Sequence, residues 1–117
     1  MVLRNRTTGE RIADRARLYT TFVGRFFGVM GKNLPEGDAV GIDSCDWVHT
    51  AFVPTPLDLI FCRRNGDVLM VVEEIRPFKI GPRVAGSDIV WELPGGTVRR
   101  HPVRIGDCLR WESKENG

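Results

Sequence analysis

The sequence predicts an α+β domain whose sheet is mostly antiparallel and either bent or curled into a partly closed β-barrel. Three observations predict this class. The apolar runs are short and strand-sized, turn residues separate them at short intervals, and one segment, residues 20–30, has helical periodicity. Few of the strands alternate cleanly between polar and apolar residues, which indicates that both faces of the sheet are covered.

The length and composition indicate one globular domain. A chain of 117 residues is shorter than the roughly 150 residues of an average domain. Hydrophobic residues make up 42% and charged residues 27% of the chain, which excludes disorder, a coiled coil and a collagen-like repeat. We therefore expect a single domain, followed by a polar tail at residues 112–117.

The charge distribution does not favour nucleic acid as a partner. The net charge is only +2, although residues 1–35 hold seven basic and two acidic side chains, leaving ten basic and thirteen acidic side chains (17 − 7 and 15 − 2) for the remainder. A basic segment of this kind can contact phosphates or anionic lipid, but so small a net charge favours a solvated, weakly polarised surface instead. Exposed basic clusters are expected at Arg63-Arg64 and Arg99-Arg100-His101.

The sequence contains no sign of membrane insertion or export. The longest apolar runs, Leu57–Cys62 and Val68–Val72, are far shorter than the roughly 18 residues of a membrane span. The first residues lack the apolar stretch of a signal peptide, and three cysteines are too few for a disulfide framework. We expect a reduced, cytoplasmic protein.

The first half of the chain is predicted to form a hairpin, a helix and two strands. Residues 2–6 and 11–13 flank a Thr-Gly turn, and Phe22, Phe26, Val29 and Met30 mark one helical face within residues 20–30. A short strand follows at residues 39–42, and a second candidate strand at residues 45–52 ends before two prolines.

The strongest local signal is the hairpin around Asn65-Gly66. This dipeptide between two apolar runs is typical of a type I′ turn, which places Leu59 opposite Val72 and Phe61 opposite Met70. Further strands are predicted at residues 87–93 and 108–111, with Thr97-Val98 as a small strand and residues 99–102 as an exposed basic loop.

Five segments resemble a known family in both content and order. They are Arg25–Gly31, Cys45–Thr50, Leu57–Phe61 with its Asn-Gly turn, Trp91–Gly96 and Ile105–Asp107. The family is the one catalogued as domain of unknown function 192, an uncharacterised family of bacteria and archaea. The resemblance extends over residues 3–111 and implies that they form a single compact α+β domain with a bent antiparallel sheet. The family has no established activity that the resemblance could transfer to this chain.

The sequence also departs from the family pattern. Val53 stands near the place of a usual Met, Gly95 replaces a usual Ala, and Pro54 and Pro56 crowd a stretch that normally holds one proline or none. If the missing Met belongs to a functional surface of the family, that surface is altered in this chain.

Two groups of residues are candidates for chemistry. Cys45 and His49 lie four positions apart and are suited to a nucleophile with its base or to part of a zinc site, although no second ligand pair accompanies them. Asp58 and Glu92 are acids within apolar strands, where an unpaired carboxylate is costly. They either share a polar pocket with His49, beside Trp47, or accept hydrogen bonds from loop amides.

These observations favour a small accessory or binding domain without enzymatic activity. Its binding residues would be His49, Asp58, Glu92 and Trp47, lining a shallow groove for a peptide, a protein or a small ligand. The alternative is a hydrolase or metal-dependent enzyme that uses the same residues. No cofactor and no metal is expected, and the chain is expected to be a monomer or a weak dimer.

Overall fold

The computed structural model describes residues 1–20, 34–46, 54–77 and 79–113. Within these ranges the chain forms eight strands and one short helix. They are β1 (Val2–Asn5), β2 (Arg11–Ala13), β3 (Arg15–Tyr19), β4 (Asp38–Asp43), β5 (Leu57–Cys62), β6 (Val68–Ile75), β7 (Ile89–Pro94), α1 (Thr97–Arg100) and β8 (Leu109–Glu112). The predicted helix over residues 20–30 and most of the candidate strand over residues 45–52 lie outside the described residues.

The strands form two sheets. One has the order β2-β1-β8, and the other has the order β3-β4-β7-β5-β6. All pairings are antiparallel except that of β3 with β4. The predicted sheet-dominated, mostly antiparallel fold is therefore confirmed, but the strands of the described ranges form two separate sheets rather than a closed barrel.

The core has two parts, one on each face of the larger sheet. The part between the two sheets joins Leu3 and Leu109 to Ile60 and Trp91. The Trp91 ring also lies 5.4 Å from the ring of Trp111, centroid to centroid, which links the two sheets through an aromatic pair. We call this side of the larger sheet the inner face.

The opposite side, which we call the outer face, carries its own apolar cluster. Val40, Leu59, Phe61 and Val90 are buried there, and Tyr19 is half-buried against them. Side chains of a strand point alternately to opposite faces. Strand β7 therefore contributes Trp91 to the inner face and Val90 to the outer face, which explains its nearly continuous apolar sequence.

The central hairpin confirms the predicted register but not the predicted turn. Leu59 pairs with Val72 and Phe61 with Met70, as expected. However, the Gly66 amide donates to the Arg63 carbonyl at 2.8 Å, and Gly66 alone in the turn has a positive φ, of 100°. The loop thus has three residues in a type I turn closed by glycine, not two in a type I′ turn.

A register shift between Phe61 and Cys62 accompanies the longer loop. The hairpin is also less central than its apolar sequence indicates. Within the described ranges β6 is an edge strand and most of its residues are only half-buried, whereas β5 is fully buried.

Two predicted details of the chain path are wrong. Residues 97–100 form the single helical turn α1, not a small strand followed by a loop. The sequence prediction also lacks strand β3, which has the sequence RARLY. Its signal is the alternation of exposed Arg15 with buried Ala16, which is typical of a half-buried strand.

A buried asparagine joins the two ends of the chain. The Asn5 Nδ2 donates to the Asp107 carboxylate at 2.9 Å and to the Pro102 carbonyl at 3.2 Å, while its Oδ1 accepts from the amides of Thr7 and Thr8. Asp107 belongs to the Gly-Asp pair that closes the family pattern. This contact gives that aspartate a structural role.

Gly66 is expected to be irreplaceable for steric reasons. A Cβ atom there would lie 2.1 Å from the Leu109 carbonyl oxygen of β8, in addition to the strain of its positive φ. We expect Gly66→Ala to lower the free energy of unfolding by more than about 1 kcal/mol, measured by urea denaturation.

The matched control for this prediction is Gly9→Ala. Gly9 has a φ of 82° and no atom within 4 Å of the added Cβ, so it carries the same backbone strain without the clash. Equal losses in the two variants would contradict the proposed contact with β8.

Candidate functional site

Asp58 is completely buried on β5, and its carboxylate accepts three backbone hydrogen bonds. The Oδ1 atom accepts from the amide of Glu74 at 2.7 Å and from that of Gly96 at 3.3 Å. The Oδ2 atom accepts from the amide of Val98 at 2.8 Å. Amide donors of this kind compensate a buried negative charge.

These three bonds hold two irregular segments in place. Glu74 has a φ of 51° at a register shift between β5 and β6, so its amide is turned out of the regular pairing and towards Asp58. Gly96 and Val98 belong to the turn that starts α1. Asp58 thus connects α1 with the bulge that this register shift makes in β6. Of the two roles that the sequence left open for Asp58, this is the structural one.

Glu92 is also buried, but it lies in apolar surroundings. It is 3% exposed on β7, and its neighbours across the sheet are Val40 and Leu59. Among the described residues, the Glu92 Oε2 atom has no hydrogen-bond partner. Burial raises the pKa of Glu92 to about 8, so its carboxyl group is mainly protonated at neutral pH.

The two acids do not converge. Asp58 pairs with Leu93 in the sheet and Glu92 with Leu59. Residues that pair directly share a face, and adjacent residues of a strand do not. Asp58 therefore points to the inner face and Glu92 to the outer face, so no pocket holds both carboxylates.

The other two predicted binding residues, Trp47 and His49, lie outside the described residues, so the grouping of His49 with Cys45 lies outside them too. Cys45 itself follows β4 and packs half-buried against the outer-face cluster. In the described ranges, no three acidic, cysteine or histidine side chains are grouped as a metal site would require.

Cys62 is a second thiol in the fold, buried on β5. Burial is the main cause that raises its pKa to about 12. Since the thiolate is the reactive form, Cys62 is inert at neutral pH.

Most side chains of the two basic clusters are paired with carboxylates. Arg64 binds Asp43 through two nitrogen atoms, at 2.7 and 3.0 Å. In the second cluster the partners of Arg99, Arg100 and His101 are Glu74, Glu36 and Glu10. This pairing weakens the electrostatic argument for nucleic-acid binding.

A cleft that sequence reasoning missed lies beside α1. Its volume is about 380 Å³, and its charged lining comes from β2, β3, the turn before β4, and α1. The charged side chains are those of Arg11, Asp14, Arg15, Glu36 and Arg100, with His101 beside them. The sequence spreads these residues over about ninety positions, so no local motif marks them.

No helix in the described ranges combines the length and apolarity needed to cross a membrane.

Replacement of Asp58 by asparagine is expected to destabilise the fold. The side-chain nitrogen of asparagine is a hydrogen-bond donor. It would face at least one of the three backbone N–H groups that donate to the Asp58 carboxylate, so that two donors would oppose each other. We expect Asp58→Asn to lower the free energy of unfolding by about 2–4 kcal/mol in urea denaturation. The control is Asp14→Asn, because within the described part of the chain the Asp14 side chain has a single, exposed ion pair, with Arg11. Its effect should stay within about 0.5 kcal/mol. Equal effects of the two variants would refute the structural role of Asp58.

Glu92 is expected to make stability fall as pH rises. Its pKa in the folded protein is raised to about 8 from the ordinary value of 4.5 for a glutamate, so the folded state binds more protons than the unfolded state between these two pH values. The stabilisation is complete below pH 4.5 and is lost as the pH rises towards 8. The variant Glu92→Gln lacks this titration.

The measurement is urea denaturation of both proteins between pH 5 and 8. The wild type should lose stability relative to Glu92→Gln, by up to about 1.4 kcal/mol per pH unit. A difference between the two proteins that does not change with pH would contradict the raised pKa.

Comparisons with known proteins agree with the fold described above. The family model of domain of unknown function 192, described as an uncharacterized ACR, matches residues 3–111. No curated protein matches the chain.

Two solved structures share the fold. One is a candidate transcription regulator from Sinorhizobium meliloti 1021, with 24% identity, a TM-score of 0.77, and coverage of 93% of this chain and 89% of the other. The second is a protein of unknown function from Novosphingobium aromaticivorans DSM 12444, with 20% identity, a TM-score of 0.78, and coverage of 94% and 82%. Because the family model spans nearly the whole sequence, the chain belongs to the family known as domain of unknown function 192.

Proposed function

We propose that this protein is a small binding domain without enzymatic activity, with a groove for a peptide or small ligand on the outer face near Glu92. The observation that carries the proposal is the buried Glu92 carboxyl group, whose Oε2 atom lacks a partner among the described residues. A buried polar atom without a hydrogen bond costs about 1–3 kcal/mol, so a ligand that supplies one gains affinity.

The protonation of Glu92 suggests which ligand group it recognises. A neutral carboxyl group has one O–H donor and can bind a carbonyl oxygen, whereas an ionised carboxylate cannot. The neighbouring side chains Val40, Leu59 and Val90 are apolar. A ligand with both amide and apolar groups, such as a peptide, suits these surroundings.

The predicted residues have different parts in this proposal. The proposal assigns ligand contact to Glu92 and, from the sequence prediction alone, to Trp47 and His49, which lie outside the described residues. Asp58 contributes indirectly, because it holds the turn that follows Glu92 on β7 and faces the other side of the sheet.

The alternative of a hydrolase is less well supported. Hydrolysis by paired carboxylates requires two acids that face one cleft. Asp58 and Glu92 face opposite sides of β5 and β7, and three backbone amides bind the Asp58 carboxylate.

The test uses the isotope-labelled full chain and a mixture of N-acetylated, C-amidated dipeptides. We expect saturable chemical-shift changes at the amides of Val40, Leu59 and Val90. Binding should weaken as the pH rises past 8, where Glu92 loses its proton. Glu92→Gln keeps a donor and should still bind, whereas Glu92→Leu should not.

A control variant, Glu112→Leu, changes a half-buried acid on the other sheet and should leave binding unchanged. Absence of shifts in the wild type would contradict the binding proposal. Release of new free amino groups from the dipeptides would instead support the hydrolase.

A further inference from the structure

We infer that the cleft beside α1 is a second binding site, and that it accepts a ligand bearing carboxylates, such as an acidic peptide segment. The cleft lies at the inner-face side of the larger sheet, since Ile12, Ala13 and Thr97 line it and Ile12 and Ala13 belong to the inner-face core. It is therefore separate from the groove proposed near Glu92. Its volume of about 380 Å³ is within the usual range for ligand sites.

The chemistry of the cleft comes from three arginines on different elements. Arg11 is on β2, Arg15 on β3 and Arg100 on α1. Each guanidinium has five N–H donors, arranged as a planar fork that matches a carboxylate. In the described ranges, Arg11 uses one of its three side-chain nitrogen atoms in a hydrogen bond, and Arg15 uses two. Arg100 has a single ion pair there.

Arg15 is held in a fixed position. Its Nε donates to the Asp38 carboxylate at 2.5 Å, and its Nη2 donates to the Glu36 carbonyl at 2.6 Å. Asp38 is 8% exposed, so this contact is anchored in the protein interior. A ligand that binds the remaining donors of Arg15 meets a guanidinium that is already oriented, which reduces the entropy lost on binding.

Glu36 is the residue that points to a carboxylate ligand. Its Oε1 lies 3.4 Å from the Nε of Arg100, while its own backbone carbonyl contacts Arg15. The Glu36 side chain is 74% exposed, and the Arg100 side chain is 43% exposed. An ion pair this long and this exposed is weak. The Glu36 carboxylate thus occupies one edge of the cleft and is easily displaced by a carboxylate from outside.

The charge balance supports the same ligand. Three arginines and two acids, Asp14 and Glu36, line the cleft. Displacement of Glu36 leaves three guanidinium groups facing Asp14 in the lining and Asp38 beside Arg15, an excess of one positive charge that an anionic ligand would neutralise.

The test measures binding of the dipeptide N-acetyl-Glu-Glu-amide to the labelled full chain by nuclear magnetic resonance. We expect saturable shift changes at the amides of Ala13, Gly37 and Thr97, and none of this kind with N-acetyl-Gln-Gln-amide. Glutarate serves as a free dicarboxylate. Tighter binding of the peptide than of glutarate identifies a peptide site, and the reverse identifies a small dicarboxylate, each of which supports recognition of carboxylates.

Two variants should change the affinity in opposite directions. Glu36→Gln removes the internal competitor and should tighten binding about two- to fivefold. Arg100→Ala should weaken binding about tenfold or more. The matched control is Arg99→Ala, because Arg99 is the neighbouring residue on α1, pairs with Glu74 and does not line the cleft. It should leave affinity unchanged.

Three results would overturn the inference. The first is the absence of saturable chemical-shift changes in the presence of excess acidic dipeptide. The second is an equal loss of affinity in Arg99→Ala and Arg100→Ala. The third is binding of inorganic phosphate as tight as that of the acidic dipeptide. Because the readout residues differ from those near Glu92, failure at this cleft is distinguishable from failure at the outer-face groove.

Discussion

The Asp58 carboxylate is the constraint on which the arrangement around the larger sheet depends. A completely buried charge requires compensation, and here three backbone amides from two separate segments provide it. In return, the carboxylate fixes where the β6 bulge occurs and where α1 begins. A helix of one turn is too short to be stable by itself. Its existence at residues 97–100 is explained by this aspartate and by the Thr97 hydroxyl, which donates to the Pro94 carbonyl at 2.7 Å.

The alternation of side chains along β5 and β7 then separates the two buried acids. Because neighbouring residues of a strand point to opposite faces, Asp58 of β5 lies on the inner face and Glu92 of β7 lies on the outer face. On the inner face, amides are available and Asp58 remains bound to them. On the outer face, Glu92 lies among apolar side chains, and the cost of ionisation there raises its pKa. Two acids in similar apolar strands therefore differ in their surroundings. Backbone amides of neighbouring elements bind the Asp58 carboxylate, whereas burial among apolar side chains raises the pKa of Glu92.

Much of the fold was predictable from the sequence because its signals are local. The strand pairing of the central hairpin follows from an Asn-Gly dipeptide between apolar runs. The approximate start and end of β4, β7 and β8 follow from the turn residues that flank them. The turn type was not predictable, because the Gly66 carbonyl also accepts a hydrogen bond from the Leu109 amide of a distant strand. The helical turn α1 depends equally on a distant residue, Asp58.

The candidate sites were less predictable for the same reason. The sequence marks Asp58 and Glu92 as unusual, since acids within apolar strands are rare, but it leaves open whether they share a pocket or accept hydrogen bonds from loop amides. Only the strand register shows that they face opposite sides. Of the cleft arginines, the sequence marks only Arg100, as part of the basic cluster Arg99-Arg100-His101. Arg11 and Arg15 are far from it in the chain, and each resembles an ordinary surface charge.

The position of α1 links the structural role of Asp58 to the cleft. Asp58 accepts a hydrogen bond from Val98, two residues before Arg100, and α1 has no side-chain N-cap among the described residues. The orientation of Arg100 relative to Arg15 therefore depends on a carboxylate that does not itself line the cleft. An aspartate held for the stability of a turn also determines where a guanidinium is presented. In this domain, residues that stabilise the fold and residues that present a binding surface are thus connected through a single buried charge.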